Sequence, residues 1–408
     1  MKYKKIVLKN GLRIIHVPVK GNPAVTVMVL VETGSNYETR SQNGLSHFLE
    51  HMMFKGTSRR PSPQIINTEF DALGAQSHAF TSHEVTGYWA KAEKKNFKKL
   101  VDILADMYLN PLLPKEELEK ERGVILQEIS MYEDEPRRQI RYVINKLMYG
   151  DAPAGRTILG PAKNIKKFSR KDFENYRNEH YVAKKTIVVV AGDLDMAEVR
   201  SEIAENFKNI SKNKKVGKES VKINQKAPAI LIHQKSTDQM HMVMGFHAFE
   251  AKDKRSVALA VLVGVLGQGM SSRLFHKLRD EMGVCYYVRG GLDENTDHGS
   301  VTIATGIDGK RVEEVVRALI KECHRLKDEL VPSKELKKTK DYLIGNLYMG
   351  LETTDSLADF YLEQEVTKGN SDTPERVEKD IRAVTAEDVR RVAREIFRKE
   401  KLNLAIIG

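Results

Sequence analysis

Two histidines and a glutamate lie within one five-residue window near the start of this 408-residue chain. His47, Glu50 and His51 form an H-x-x-E-H arrangement inside GLSHFLEHMMFKGT. On a helix, His47 and His51 are one turn apart and point the same way, so their imidazoles could hold one Zn²⁺. Glu50 would lie beside them, close enough to take a proton from a metal-bound water. The alternative is a polar helix face that carries two histidines by chance.

A catalytic zinc usually has three protein ligands and one open position, and after two histidines the usual third ligand is a carboxylate. The helical pattern over 115–133 offers Glu121 and Glu128, which are seven residues apart and therefore on one face. Taken alone, either could be a solvated glutamate on a helix surface.

The chain also contains an internal repeat. The segment LPKEELEKERGVILQEISMYED at 113–134 is similar to VPSKELKKTKDYLIGNLYMGLE at 331–352. Two copies of one domain, about 200 residues each, account for the whole length. We predict an N-terminal domain over 1–215 and a C-terminal domain over 225–408, joined by a lysine-rich polar linker.

The second copy lacks the candidate site. Each candidate residue of the first copy aligns with a residue that is neither a histidine nor a carboxylate. In order, the counterparts of His47, Glu50, His51, Glu121 and Glu128 are Ala260, Val263, Gly264, Thr339 and Asn346. This contrast indicates that one copy keeps the chemistry and the other has a different task.

Short β-branched runs and amphipathic periods predict a mixture of strands and helices. The predicted strands are 14–17, 24–32, 186–192, 229–233, 241–247, 300–306 and 402–408, and the predicted helices are 96–109, 115–133 and 312–327. The mixture predicts an α+β fold made of two tandem, similar domains.

These motifs resemble the pitrilysin/insulinase family of zinc peptidases. The resemblance is to the short branch that includes the mitochondrial processing peptidase β subunit and bacterial processing peptidases. It rests on HFLEHMMFKGT at 47–57, on GSNYE at 34–38, and on Glu128, which is separated from His51 by 76 residues. It implies the metallohydrolase fold of that branch, in which each domain is a mostly antiparallel sheet packed with helices.

The resemblance also implies roles for the candidate residues. His47, His51 and Glu128 would bind one Zn²⁺ per chain, and Glu50 would be the general base that activates water. Glu121 would orient a metal ligand or its helix.

Two further segments resemble substrate-contacting parts of the family. In MSSRLFHKLRDEMGVCYYVRGG at 270–291, Arg279 and Tyr286 match a pair that contacts the substrate and the tetrahedral intermediate. A surface arginine and a core tyrosine are the alternatives. In GAQSHAFTSHEVTGY, the residues His78, Ala79 and Phe80 match the strand edge on which the substrate peptide lies, although the family usually has asparagine at the position of His78.

The resemblance predicts a zinc metalloendopeptidase that cleaves short or unfolded peptides inside a dimeric chamber. The partner is expected to be a second copy of the chain, and an inactive paralogue is the other possibility. Arg279 and Tyr286 would then reach the zinc of the opposite chain. The competing interpretations are a non-catalytic peptide-binding or assembly subunit of the same fold, and a structural zinc, which would need four protein ligands.

Composition limits the other function classes. The net charge is +11, but the lysines are spread widely and no nucleic-acid motif accompanies them, so a solvated basic surface is expected and no nucleic-acid partner. The two cysteines, Cys285 and Cys323, are expected to be reduced thiols of a cytoplasmic protein. The N-terminus has no apolar signal region, and the longest apolar run, 257–267, is shorter than the roughly 20 residues of a membrane span.

Overall fold

The computed structural model describes residues 2–408 and contains two compact units, each built on one β-sheet. The strands are β1 (Lys4–Val7), β2 (Arg13–Pro18), β3 (Ala24–Val31), β4 (Gln76–Thr81), β5 (Thr86–Glu93), β6 (Thr186–Gly192), β7 (Ala229–His233), β8 (Met240–Ala248), β9 (Cys285–Glu294), β10 (Gly299–Ile307) and β11 (Leu402–Ile407).

The α-helices of the two units vary from one turn to nearly six turns in length. They are α1 (Leu45–Met52), α2 (Pro63–Ala72), α3 (Phe97–Leu109), α4 (Lys115–Asp134), α5 (Pro136–Tyr149), α6 (Ala162–Ile165), α7 (Arg170–His180), α8 (Met196–Asn206), α9 (Ser256–Gly267), α10 (Arg273–Phe275), α11 (Val312–Asp328), α12 (Ser333–Met349), α13 (Thr354–Lys368), α14 (Pro374–Ala383) and α15 (Ala386–Ile396).

Both sheets have the same strand order. The first runs β1-β2-β6-β3-β5-β4, and the second runs β7-β11-β8-β10-β9. The second order is the same as the first, except that β1 has no counterpart. In each sheet one pair is parallel, β2 with β6 and β7 with β11, and the other pairs are antiparallel. The predicted α+β fold of two similar, mostly antiparallel domains is therefore confirmed.

The seven predicted strands all correspond to strands of the structure, and the three predicted helices correspond to α3, α4 and α11. The strands that pattern reasoning did not list are β1, β4, β5 and β9. The apolar run 257–267 lies in α9, which is buried in the core of the second unit. Among residues 2–408, no helix combines the length and the apolar character needed to cross a membrane.

Each half of the sequence contributes one helix to the unit that is built mainly from the other half. The first comprises the chain up to Met131, Arg156–Glu219 and Gly350–Thr373, and the second comprises Tyr132–Gly155, Ser220–Met349 and Pro374–Gly408. Helix α13 of the second half therefore belongs to the first unit, and helix α5 of the first half belongs to the second. The domain boundary predicted between residues 215 and 225 divides the sequence into two halves, and it stays a prediction.

Helix α13 is joined to the first sheet by buried polar contacts. The hydroxyls of Thr354 and Thr26 are 2.8 Å apart and buried. The Glu365 carboxylate, with a side chain that is 1% exposed, accepts from Lys5 at 2.7 Å and from Arg13 at 3.2 Å. Because a buried carboxylate is costly unless it is paired, these contacts fix α13 on the strands that carry Lys5 and Arg13.

Helix α5 is joined to the second sheet by apolar contacts instead. Ile140, Ile144 and Met148 are spaced four residues apart, so they form one stripe along the helix. The stripe packs against Val243 of β8 and Ala405 of β11. Burial of this stripe is a hydrophobic contribution to the second unit that comes from the first half of the chain.

Helix α1, which carries the H-x-x-E-H pattern, begins where two backbone segments meet closely. Gly44 precedes it with a φ of 101°, in the left-handed region. A Cβ at Gly44 would lie 2.6 Å from the carbonyl oxygen of Leu159 and 2.8 Å from Ile165 Cδ1. Both the conformation and the space therefore require glycine.

We expect Gly44→Ala to lower the free energy of unfolding by about 3 kcal/mol, because strain and a backbone clash act together. Urea unfolding followed by circular dichroism measures the change. The matched control is Gly123→Ala on α4, where a Cβ meets nothing within 4 Å. It should be neutral or raise stability by up to about 1 kcal/mol. Equal effects of the two substitutions would contradict this account of Gly44.

Candidate metal centre

The N-terminus of α1 is held by the buried carboxylate of Glu38. It accepts hydrogen bonds from the backbone N–H groups of Gly44 at 2.9 Å and Ser46 at 2.6 Å, and from Asn43 Nδ2 at 3.0 Å. These donors lack partners within the helix, and a negative charge suits this end of the helix dipole. Burial raises the pKa of Glu38, while the hydrogen bonds oppose that rise. The GSNYE segment thus positions α1.

The two histidines of α1 face the same side of the helix. Their ring centroids are 4.7 Å apart, with the planes at 64°. His47 is buried, and burial, assisted by the nearby His51, lowers its pKa to about 3. Its ring is therefore neutral at physiological pH, which is the form that binds a metal.

Helix α4 brings a carboxylate to both rings. Glu128 Oε2 lies 3.5 Å from His47 Nε2 and 3.8 Å from His51 Nε2. One ligand atom from each of these three residues lies within 4.8 Å of the other two. Within residues 2–408, no other group of three or more His, Cys, Asp or Glu side chains meets this criterion. Burial raises the pKa of Glu128, and the charge of His51 opposes the rise.

Glu121 lies two turns before Glu128 on α4 and contacts His51 from the other side. Its Oε2 is 3.0 Å from His51 Nδ1, and its Oε1 is 2.5 Å from Lys55 Nζ. Burial works against ionisation of Glu121, but the hydrogen bonds from His51 and Lys55 outweigh burial and lower the pKa of this carboxyl. With Nδ1 turned to Glu121, His51 presents Nε2 to Glu128.

The equivalent place in the second unit is a packing contact. Gly264, the counterpart of His51, lies on α9, and Thr339, the counterpart of Glu121, lies on α12. A Cβ on Gly264 would be 2.8 Å from Thr339 Cγ2. The fold therefore brings the same two positions together in both units, but only the first unit has a histidine and a carboxylate there.

Glu50 lies on α1 between the histidines and is held from β4. Its Oε2 accepts a hydrogen bond from the Thr81 hydroxyl at 2.6 Å. Burial raises the pKa of Glu50, and the hydrogen bond from Thr81 opposes the rise. A carboxyl whose pKa moves towards neutrality is suited to accepting a proton and returning it.

Strand β4 is one of the two outer strands of the first sheet, and it pairs only with β5. His78 is exposed, Ala79 is buried and Phe80 is half-buried against Gly87. His78 Nδ1 contacts the carbonyl oxygen of Ala79. The predicted substrate edge is thus a sheet edge among the described residues. His78 does not belong to the metal-holding group.

Arg279 and Tyr286 lie next to each other in the second unit. The Arg279 guanidinium, in the π-helical turn His276–Glu281, donates to the backbone carbonyl of Tyr286 and lies 5.6 Å from the ring centroid of Phe275. The Tyr286 side chain is at the start of the outer strand β9, and the residue is 81% exposed. Tyr286 is therefore not a core residue, and the roles of this pair stay predictions.

The donor set fits zinc. Two imidazoles and one carboxylate are the three protein ligands of many catalytic zinc sites, with the fourth position left open. Nδ1 of His47 is buried without a hydrogen-bond partner among the described residues, and Nε2 is the nitrogen that faces Glu128. Burial favours the neutral, metal-binding form of His47, and the burial cost of an ionised Glu128 is one that a divalent cation would offset.

The fold and this cluster define the class: a duplicated metallohydrolase fold with a zinc-type donor set in its first unit. The chain belongs to the insulinase family of peptidases, peptidase family M16. The family's sequence profile matches residues 14–162, and the profile of the M16 inactive domain matches residues 167–343. The resemblance found from the motifs is therefore confirmed.

Relatives of similar length carry names of the same kind. The chain is 33% identical to an uncharacterized zinc protease of Bacillus subtilis, YmxG, over 99% of this chain and 98% of that protein. It is 31% identical to an uncharacterized zinc protease of Rickettsia felis, over 98% and 96%. These names support a peptidase and zinc as its metal.

Solved structures show the same fold at lower identity. A protease from Helicobacter pylori superimposes with a TM-score of 0.93 and 22% identity, covering 100% of this chain and 99% of that one. A Pseudomonas fluorescens structure described as a peptidase M16 inactive domain gives a TM-score of 0.92 at 16% identity, covering 100% and 98%.

Three residues near the candidate metal centre were not predicted from the sequence to be functional: Glu38, Lys55 and Thr81. Glu38 and Lys55 stand inside the quoted motifs, but the capping rules do not reach a residue six positions before the N-cap, and no spacing rule connects a lysine with a glutamate on another helix. Thr81 is the last residue of β4, one position past the predicted substrate edge.

We expect purified protein to bind about one zinc per chain and His51→Ala to lose it, because one of three ligands disappears. Atomic absorption and a zinc titration with a chelating dye measure the change. His78→Ala is the control, since His78 lies outside the metal-holding group, and it should keep wild-type stoichiometry. Unchanged zinc in His51→Ala would move the metal to another place.

Proposed function

We propose that this chain is a zinc metalloendopeptidase that cleaves short or unfolded peptides. The observation that carries the proposal is the cluster of His47, His51 and Glu128 around one point, with Glu50 on the same helix. Family membership and the names of the relatives support a peptidase, and the geometry of this chain supports the particular residues.

His47, His51 and Glu128 would hold the metal in this proposal. Zinc bound there would supply Lewis acidity, polarising a scissile carbonyl and making a water molecule more acidic. The remaining chemistry belongs to side chains of the protein. His51 is kept in one orientation by Glu121, so that its Nε2 points towards Glu128 and its Nδ1 is not available to a ligand.

Glu50 would be the proton carrier. It takes a proton from the attacking water and then gives the proton to the amine that leaves when the C–N bond breaks, so no net proton is consumed by the enzyme. The Thr81 hydroxyl occupies one lone pair on Glu50 Oε2 and fixes the direction of the carboxylate. Burial raises the pKa of Glu50, which makes the first transfer, from water to the carboxylate, easier.

The substrate peptide would lie along β4. An outer strand offers unpaired backbone groups, and an extended peptide can pair with them as an added strand. His78 is exposed there and can donate or accept a hydrogen bond in the place where the family usually has asparagine. Because such pairing requires an extended backbone, folded proteins would be poor substrates.

We expect Glu50→Gln to keep zinc and to lose peptidase activity by about 10³-fold, because the amide cannot accept a proton. Cleavage of a quenched-fluorescence peptide library, with and without chelator, provides the measurement. Glu119→Gln is the control, because Glu119 pairs with Arg122 on the exposed side of α4. A zinc-loaded wild type that cleaves nothing in the library would instead support a peptide-binding or assembly role.

We further propose that the active form is a homodimer in which Arg279 and Tyr286 of one chain act at the zinc of the other. A guanidinium can hold a substrate carbonyl, and a phenol can donate to a developing oxyanion. Tyr286 is exposed, and Arg279 donates a hydrogen bond to the backbone carbonyl of Tyr286. These two observations support a pair of residues that could contact a partner chain together. A heterodimer with an inactive paralogue is the competing arrangement.

Mixing Glu50→Gln chains with Arg279→Ala chains tests this sharing. Each heterodimer would contain one site with both residues intact, so random exchange should restore about one quarter of wild-type activity. The control mixes Glu50→Gln chains with chains carrying both substitutions, which should give no recovery. Subunit exchange is verified with differently tagged chains. Complete exchange without recovery would exclude a shared site.

A further inference from the structure

Two glutamates on the same face of α4 approach the same pair of histidines, yet only one of them belongs to the metal-holding group. Glu128 Oε2 lies 3.5 Å and 3.8 Å from the two Nε2 atoms, whereas Glu121 contacts His51 through Nδ1. Residue type and helix face do not distinguish them, because both are glutamates and residues seven apart lie on the same face of a helix. The other contacts of each carboxylate therefore bear on which of them faces the metal.

Lys55 makes one of these contacts. It follows α1 by three residues, and its Nζ lies 2.5 Å from Glu121 Oε1, while Glu121 Oε2 is 3.0 Å from His51 Nδ1. Both oxygens of Glu121 are therefore occupied by donors. Glu121 is buried, so an oxygen left without a donor would be costly and the carboxylate would be drawn to another partner.

We propose that Lys55 is a positioning residue of the metal centre: by holding one oxygen of Glu121 it keeps Glu121 on His51 and leaves Glu128 as the carboxylate that faces the metal. The inference rests on the proposed function, because it presupposes zinc at His47, His51 and Glu128. It gives Lys55 a role that the H-x-x-E-H motif does not predict.

Charge supports the same assignment. Three carboxylates converge here, those of Glu50, Glu121 and Glu128, and imidazoles that bind a metal do so in the neutral form and add nothing to the sum. A divalent cation balances two of the carboxylates, and the Lys55 ammonium balances the third, with which it is paired. Buried charges of one sign raise the free energy of the folded protein unless opposite charges compensate them. Three carboxylates, one divalent cation and one ammonium together carry no net charge, so this combination is favoured.

The lysine next to Glu121 in sequence does not share this role. Lys120 pairs with Glu117 at 2.6 Å on the exposed face of α4, where its side chain is 67% exposed. By comparison, the side chain of Lys55 is 21% exposed and that of Glu121 is 10% exposed. Lys120 therefore provides a matched control, with the same charge change near the same helix and no contact with the centre.

The test measures zinc affinity by chelator competition on the full chain. We expect Lys55→Met to weaken zinc binding by about tenfold, the size expected when a partner that orients a metal ligand is lost. Lys55→Arg, which keeps charge and donors, should stay within about threefold of wild type, and Lys120→Met should not change the affinity. In a Glu121→Gln background, Lys55→Met should have almost no further effect, because the two residues act in series.

Each outcome decides the inference. Zinc affinity in Lys55→Met that equals or exceeds the wild-type affinity would overturn it, and so would a tenfold loss that persists in the Glu121→Gln background. Metal-free thermal melts check that the variants fold, and Lys55→Gln replaces Lys55→Met if the latter does not, with the same loss expected. A wild type that binds no zinc would overturn the proposed function itself, which separates the two failures.

Discussion

The contact on which the first unit's chemistry depends is a single imidazole–carboxylate pair, His51 with Glu121, between residues 70 positions apart. It joins α1 to α4 and requires one particular rotation of one helix against the other, which the packing of the first unit determines. If that rotation changed, Glu128 would no longer lie between the two Nε2 atoms, since it sits two turns further along the same helix. The surrounding structure serves this arrangement: Glu38 fixes the start of α1, Thr81 fixes Glu50, and Lys55 fixes the far side of Glu121.

The second unit shows what the same scaffold does without this pair. Its sheet has the same strand order, and its α9 and α12 meet at Gly264 and Thr339, where a glycine allows close approach and no ion is needed. Helix α9 is apolar throughout and buried, whereas α1 has one polar face. The second unit therefore has the same architecture without the side chains of a metal centre. The polar residues of α1 and α4 are an addition to the fold, with a cost in burial that bound zinc would offset.

Much of this arrangement was predictable from the sequence, and the reasons are local. The run 186–192 is rich in β-branched residues and the run 402–408 is mostly aliphatic, so composition predicts strands at both. The repeat made the duplicated fold predictable. The motif and the repeat contrast together led to the five residues from His47 to Glu128 that the structure brings close. Strand β4 is harder, because QSHAFT is an edge strand with its first three residues exposed and so lacks alternating burial. The partner of Lys55 could not be inferred, because it depends on the rotation of two helices that only tertiary packing determines.

The exchange of α13 and α5 has a consequence for how the chain behaves when it is cut. The segment 212–226 has no helix or strand and is largely exposed, so a protease would reach it first. Cleavage there would break one peptide bond but would leave Thr354 and Glu365 seated on strands of the N-terminal fragment. The two fragments would therefore migrate together under native conditions. Neither half, expressed alone, would contain all the secondary structure of one compact unit.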